Sequence, residues 1–287
     1  MAAYEIAMLF DYELIDCGDQ RRLESFSGVI VNRPAPQALW PKNKNIKQWQ
    51  QAKAYYQRPE SGQGQWRDLN DLPKNWHLSL DNITLELKPS ANNQLGIFPE
   101  QFVNWQWIKN KLQNIKRPVS VLNTFAYTGA ASLIASAASE QVKVCHVDGA
   151  KAAVTWARHN AKLSGLEERP IRWIVDDVMT FVQREIKRGN KYDAIILDPP
   201  AFGRGPKGTW KIERDLSTLL KAVKDLISKN PLFVILSCHA PELTKKHLIE
   251  FLEPLAPSFK EKPRAFQLTI KSKTGQDLPS GLCGRIE

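Results

Sequence analysis

Val119-Ser120-Val121-Leu122-Asn123-Thr124-Phe125-Ala126-Tyr127-Thr128-Gly129-Ala130 is the stretch on which the fold of this chain turns. Its first five residues read as a buried strand, and small residues from Ala130 to Ala138 predict a helix. Between them lies a turn that ends in Gly129. A glycine there lets the backbone pass close to a ligand and start a helix at the point of contact. The Gly-x-Gly-x-x-Gly series of a dinucleotide site is missing, which disfavours a pyrophosphate ligand. A one-glycine turn is common in strand-to-helix connections, so its meaning depends on the residues downstream.

Downstream the pattern is regular alternation. Strands are expected at Val142–Val147, Ile171–Val175, Ala194–Leu197 and Leu232–Ser237. The helices between them are expected over 151–164, 177–188 and 213–228, and another precedes the first strand over 100–113. Such a series predicts an α/β domain with a parallel sheet covered on both faces, binding its ligand at the carboxyl ends of the strands. A closing hairpin is expected from Ala265–Ile270 and Leu282–Ile286. Upstream, Tyr4–Leu9, Leu14–Asp16, Gly28–Val31 and Ile83–Leu87 are strand candidates. Turn signals separate them at Cys17-Gly18-Asp19, Arg33-Pro34-Ala35-Pro36 and Ser61-Gly62-Gln63-Gly64. Two domains are therefore expected: a small β-rich domain over 1–92 and the α/β domain over 93–287. Six of the nine Trp residues lie between Trp40 and Trp107. They read as core filler, with base stacking the lesser alternative.

Composition excludes several classes. At 43% hydrophobic and 24% charged, the 287-residue chain is neither collagen-like nor largely disordered. No run approaches the apolar length of a membrane helix. Met1-Ala2-Ala3-Tyr4-Glu5 lacks the features of a secretory signal, and four widely spaced cysteines suggest neither a disulfide framework nor a zinc site. A cytoplasmic protein with reduced thiols is expected. The five histidines are scattered, so no metal is expected. The net charge of +10 is uneven: residues 1–100 hold 11 Lys/Arg against 12 Asp/Glu, while the remainder holds 29 against 18. The second stretch would attract a polyanion, although a basic surface can also be merely solvated.

Each later strand ends in suitable chemistry. Asp148 lies 19 residues after Gly129, where a carboxylate can accept both hydroxyls of a ribose or cap the next helix. Asp176-Asp177 closes the third strand and can accept an exocyclic adenine amine or, again, cap a helix. The fourth strand runs into Asp198-Pro199-Pro200-Ala201-Phe202. Two prolines after an acid hold an extended exit whose carbonyls have no neighbouring N–H donors, beside an aromatic face. That suits a flat base held against a methyl donor. A structural Asp-Pro-Pro turn is the alternative.

The series Asn123-x-Phe125-x-Tyr127-Thr128-Gly129, Asp148, Asp177 and Asp198-Pro199-Pro200-Ala201-Phe202 resembles the class I S-adenosylmethionine-dependent methyltransferases. Within them it is similar to the bacterial large-subunit ribosomal RNA cytosine-C5 group. The likeness runs from about Phe98 to Cys238. It implies a Rossmann-like sheet and S-adenosylmethionine as cofactor. By the same implication the turn from Asn123 through Phe125, Tyr127 and Thr128 to Gly129 holds the methionine part. Asp148 would take the ribose and Asp177 the adenine, while Asp198, as a cofactor-binding and catalytic residue, would line with the diproline the junction of cofactor and target base. Relatives carry Phe-x-Asp-Gln-Arg before the first core strand, and Phe98-Pro99-Glu100-Gln101-Phe102 keeps only its Phe and Gln. The front domain would guide the substrate, without a recognisable PUA-type module.

Which atom receives the methyl group turns on Cys238, at the end of the fifth strand. Carbon-5 of cytosine needs a thiolate added at carbon-6, and Cys238, next to His239, stands where the cytosine-C5 relatives keep that nucleophile. Equally, a strand-end cysteine can be inert core. Transfer to a base nitrogen needs no adduct, only acceptors and a stacking aromatic, which Asp198, the Pro199 carbonyl and Phe202 can supply. Beyond them, Gly203-Arg204-Gly205-Pro206-Lys207-Gly208-Thr209-Trp210-Lys211 reads as a mobile basic loop. Arg204, Lys207 and Lys211 would meet phosphates and Trp210 would stack on a base. The expected function is RNA methylation, with ribosomal RNA as partner. The alternatives are an RNA-associated module that has lost catalysis, or a methyltransferase for a small molecule or protein. The sequence leaves the oligomeric state open.

Overall fold

The computed structural model describes residues 9–57, 64–205 and 208–287, without the side chains of Asn70, Arg204 and Gly205. The strand expected over Tyr4–Leu9 lies, apart from Leu9, outside the described residues. So do Ser61-Gly62-Gln63, Lys207 and the side chain of Arg204. Two compact units divide the chain: Met1–Glu100 with Thr269–Pro279, and Gln101–Leu268 with Ser280–Glu287.

In the first unit, β1 (Tyr12–Gly18), β2 (Arg21–Phe26), β3 (Val29–Pro34), β4 (Ala54–Gln57) and β5 (Gln65–Arg67) form one sheet in that order. A separate hairpin pairs β6 (His77–Leu80) with β7 (Ile83–Glu86). Trp66 and Trp76 are buried, and their indole N–H groups donate to the Ser90 and Phe26 carbonyls at 2.9 and 3.0 Å. Trp40 and Trp49 are likewise tied down, donating to the Cys17 carbonyl and to Asp16. Indoles bound in this way are core filler, as the sequence suggested.

Arg33 reaches along the pleat from β3 to Glu24 of β2. Its Nε and Nη2 donate to the two carboxylate oxygens at 2.6 and 2.7 Å, and both residues are buried. Tyr12 adds a third donor at 3.0 Å. Burial pushes the Glu24 carboxyl upward, but Arg22 and Arg33 outweigh it and hold the group below its ordinary value. Together with Tyr12, this pair ties β1, β2 and β3 together.

In the second unit, α1 (Phe102–Leu112) precedes β8 (Val119–Thr124), α2 (Ala130–Ala138), β9 (Val142–Asp148), α3 (Lys151–Leu163) and β10 (Ile171–Val175). Then come α4 (Val178–Lys187), β11 (Ala194–Leu197), β12 (Phe202–Gly205), β13 (Gly208–Lys211) and α5 (Ile212–Lys224). The chain finishes with β14 (Phe233–Cys238), α6 (Lys245–Leu252), β15 (Arg264–Ile270) and β16 (Leu278–Ile286). The sheet has seven strands in the order β10-β9-β8-β11-β14-β16-β15. Strands β10 to β14 run parallel, and β16 is antiparallel to β14. Strand order therefore reverses beside β8, between the turn to α2 on one side and the exit of β11 on the other. That is where parallel sheets leave a crevice at their carboxyl ends.

The stretch after Phe202 departs from the mobile loop expected of it. Phe202 pairs with Lys211, Gly203 with Trp210 and Arg204 with Thr209, so it is a two-stranded ribbon. Cross-strand backbone bonds satisfy groups that a loop would leave to water. Among the described residues no helix is long and apolar enough to cross a membrane.

Replacing Glu24 by Gln leaves Arg33 buried without its counter-charge and should destabilise the first unit by about 3–5 kcal/mol. Chemical denaturation at neutral pH measures this. The carboxyl is held below its ordinary value, so its contribution is present above about pH 4.5 and is lost as the pH falls further.

Candidate active site

The turn after β8 carries backbone strain at two places. Phe125 and Tyr127 have φ of 54° and 49°, and Gly129 has φ of 94°. For the two aromatic residues the left-handed conformation costs roughly 1–2 kcal/mol each. It persists because the surroundings fix the turn. The Ala126 N–H donates to the Val147 carbonyl at 3.1 Å, and the Tyr127 N–H to Asp148 Oδ2 at 2.9 Å. Asn160 holds the Thr128 carbonyl at 2.9 Å. A Cβ on Gly129 would stand 3.0 Å from that of Ala157, so α3 reaches the turn only because the side chain is missing. Strain held in this way is a mark of functional segments.

Asn123 lies beneath the turn rather than on its surface. Its amide donates to Ser132 Oγ at 2.9 Å, and Ser132 is bonded to His146 Nδ1 at 3.0 Å. All three are buried. Burial pushes the His146 imidazole down to about 3, so it is neutral.

Asp148 ends β9, half-buried. Its Oδ1 accepts the Ala150 N–H at 2.8 Å and its Oδ2 the Tyr127 N–H. Burial raises its pKa, against the lowering effect of those two donors. A carboxylate has about four acceptor sites, so roughly two remain for a ligand. Asp177 caps α4: its Oδ1 accepts both the N–H and the hydroxyl of Thr180, each at 2.9 Å. Asp176 is bonded to the Asp177 N–H and to Arg184.

Asp198 stands at the exit of β11. Gln101 Nε2 donates to its Oδ2 at 3.0 Å, while Oδ1 is buried with no hydrogen-bond partner among the described residues. His239 Nε2 is 3.5 Å from Oδ1. Gly281 on β16 makes room for that imidazole, since a Cβ there would lie 2.7 Å from His239 Nδ1. The Cys238 side chain is sealed in the core at 1% exposure, its thiol pushed far up by burial and then by the Asp198 charge.

After the diproline, Phe202 is 51% exposed. Trp210 faces inward, its indole N–H donating to the Pro200 carbonyl at 2.7 Å and its ring 5.2 Å from that of Phe125. It thereby braces the ribbon against the turn after β8. Pro199 is buried and Lys211 exposed, with the Lys211 N–H donating to Asp215 Oδ2 at 2.8 Å. Among the described residues no group of His, Cys, Asp or Glu is gathered for a metal ion.

Comparison with known proteins places this geometry. Residues 43–265 match the family described as S-adenosylmethionine-dependent methyltransferase. The chain belongs to that family. It is 36% identical to the SAM-dependent methyltransferase from Agrobacterium tumefaciens, with a TM-score of 0.88 over 96% of this chain and 90% of that one. It is also similar to ribosomal RNA large subunit methyltransferase K/L of Pseudoalteromonas atlantica, 30% identical over 58% of this chain and 23% of the relative. Ribosomal RNA large subunit methyltransferase I of Aeromonas salmonicida is 34% identical over 38% of this chain and 26% of the relative. The chain thus spans about a quarter or less of the length of these two ribosomal RNA methyltransferases.

The site fits the cofactor of the family. S-adenosylmethionine offers two ribose hydroxyls, and Asp148 is half-buried with acceptor sites left over. Its chain must also pass close to backbone, which the bare Gly129 allows. The structure brings Phe125, Tyr127 and Gly129 after β8 beside Asp148 at the end of neighbouring β9, and Asp198 follows β11 on the other side of β8. Sequence reasoning missed Asn104 and Ser237, which bond to Gln101, and Arg285, which bonds to Asn104, although Gln101 itself was the residue that Phe98–Phe102 retained.

A neutral buried histidine gives this unit a measurable acid sensitivity. Unfolding restores an ordinary imidazole, so between pH 6.5 and about 3 the unfolded chain binds the extra proton. Stability should fall by about 1.4 kcal/mol per pH unit of acidification across that window. Denaturation at several pH values, with His146→Asn for comparison, tests this: the variant should flatten the slope.

Proposed function

We propose that this chain methylates a nitrogen of a base in large-subunit ribosomal RNA. The observation that carries the choice of nitrogen is the contrast at the end of β11 and β14. Asp198 has an acceptor oxygen without a hydrogen bond among the described residues, 3.5 Å from His239 Nε2 and four positions before the exposed Phe202, whereas Cys238 is sealed and burial pushes its thiol up. A nucleophilic cysteine needs the opposite environment, exposed and electropositive. The RNA substrate is supported by the relatives named as ribosomal RNA methyltransferases and by the excess of basic residues after residue 100. Ribosomal RNA would be met in the cytoplasm.

Each residue then has a task. S-adenosylmethionine supplies an electrophilic methyl group. Asp148 accepts the ribose hydroxyls, and Asp177 meets the adenine amine through Oδ2, its Oδ1 being engaged in the helix cap. Phe125, Tyr127, Thr128 and Gly129 hold the methionine part, with Asn123 supporting them from below. Asp198 and the Pro199 carbonyl orient the base N–H, and Asp198 accepts the proton that it sheds. Phe202 stacks on the base. Arg204, Lys207 and Lys211 meet phosphates, while Trp210 braces the pairing of Phe202–Gly205 with Gly208–Lys211 instead of stacking.

Mass spectrometry of ribosomal RNA nucleosides from a deletion strain and its parent tests the reading. A methylated base nitrogen should be lost; unchanged nucleosides would overturn the RNA assignment. In the same assay the purified Cys238→Ala protein should restore the mark at the wild-type rate, whereas abolition of turnover in a folded variant would restore the carbon-5 route. Asp148→Ala should weaken S-adenosylmethionine binding by roughly tenfold or more, since a charged acceptor is lost. Isothermal titration measures it.

A further inference from the structure

Amide side chains can be placed either way round, and here a distant cation decides which way. Arg285 on β16 donates through Nε and Nη2 to Asn104 Oδ1, at 3.2 and 2.5 Å. The Cys283 thiol approaches the same oxygen at 3.2 Å. A guanidinium has donors only, so the Asn104 atom facing it must be its oxygen. Asn104 Nδ2 is thereby turned toward Gln101 Oε1 at 2.6 Å, where the Ser237 hydroxyl also donates at 3.3 Å. With two donors on that oxygen, the other end of Gln101 is Nε2, 3.0 Å from Asp198 Oδ2. Reversing either amide would set acceptor against acceptor. Gln101, Asn104, Ser237 and Arg285 are all buried.

We propose that Arg285 is a positioning residue for methyl transfer, which through Asn104 and Gln101 keeps a donor on Asp198 and so fixes it as an acceptor. The inference rests on the base-nitrogen reading for what Asp198 does, but not for how it is held. Arg285 lies between the rings of Trp107 and Phe266, at 4.6 and 4.7 Å, and its hydrogen bonds go to neutral oxygens, Asn104 Oδ1 and the Val103 carbonyl at 3.1 Å. An apolar side chain would fill that space without the guanidinium's desolvation penalty, at the cost of the donor to the Val103 carbonyl. What it would not do is set the direction of the relay.

The test uses the full chain with Arg285→Met, Arg285→Lys and Asn104→Asp. The third keeps an acceptor for Arg285 but removes the donor to Gln101. Two readouts are followed: the side-chain amide resonance of Gln101, and turnover on ribosomal RNA from the deletion strain, with S-adenosylmethionine binding as control. In the wild type the Gln101 amide proton should lie downfield, bonded to a carboxylate. Arg285→Met and Asn104→Asp should move it upfield and lower kcat by roughly tenfold or more, with cofactor Kd held within about twofold. Arg285→Lys, also a pure donor, should restore both. If Arg285→Met fails to fold, Asn104→Asp decides. An unmoved Gln101 resonance in folded Asn104→Asp overturns the proposal, and so does a moved resonance with unchanged kcat. If the wild type transfers no methyl group while the variants still move the resonance, the functional reading fails and the control of Asp198 by Arg285 stands.

Discussion

The reversal of strand order beside β8 is the constraint from which the site arises. Because β9 and β10 lie on one side of β8 and β11 and β14 on the other, the connections leaving β8 and β11 depart in opposite directions. Neither can close the gap between them. The strained turn of Phe125 to Gly129 and the diproline exit after Asp198 are the two walls of that gap. Asp148 extends the first wall by binding the Tyr127 N–H, so one carboxylate both shapes the turn and remains available to a ligand.

Behind this crevice two chains of buried polar groups accompany the apolar core. Asn123, Ser132 and His146 form a buried chain under the turn, and Arg285, Asn104, Gln101 and Ser237 form another behind Asp198. Buried polar groups are costly unless every partner is present, and for that reason they admit few alternative arrangements. An apolar core tolerates repacking by fractions of an ångström; a directional relay does not. Trp210 contributes a third fixed link, joining the Pro200 carbonyl to the ring of Phe125.

Much of the second unit was legible because its elements are local. Strands β8 to β11 and helices α2 to α4 are recognisable from runs of branched residues, helical spacing and glycine stops, each contained within about a dozen residues. The aspartates at the ends of β9, β10 and β11 could be placed because a strand end is itself a local feature. Less was legible in the first unit. Strands β2, β4, β5 and β6 are short and carry Arg, Glu, Gln and Ser, and β2 is held by an ion pair with β3 that no periodicity reveals.

By itself, then, the sequence determined the α/β class, the alternation of strands and helices from β8 to β14, the family and the acids that stand at the crevice. These depend on backbone propensity and side-chain period, which act over neighbouring residues. Only the tertiary structure shows that the Cys238 side chain is covered at the end of β14, since a strand end reads the same whether its thiol is sealed or open. It also turned the basic loop into a ribbon and Trp210 into its brace. Above all it joined Arg285 to Asp198, 87 positions apart, through two amides whose direction depends on what lies at the far end. Hydrogen-bond direction is a property of the assembled network, and no single stretch of sequence carries it.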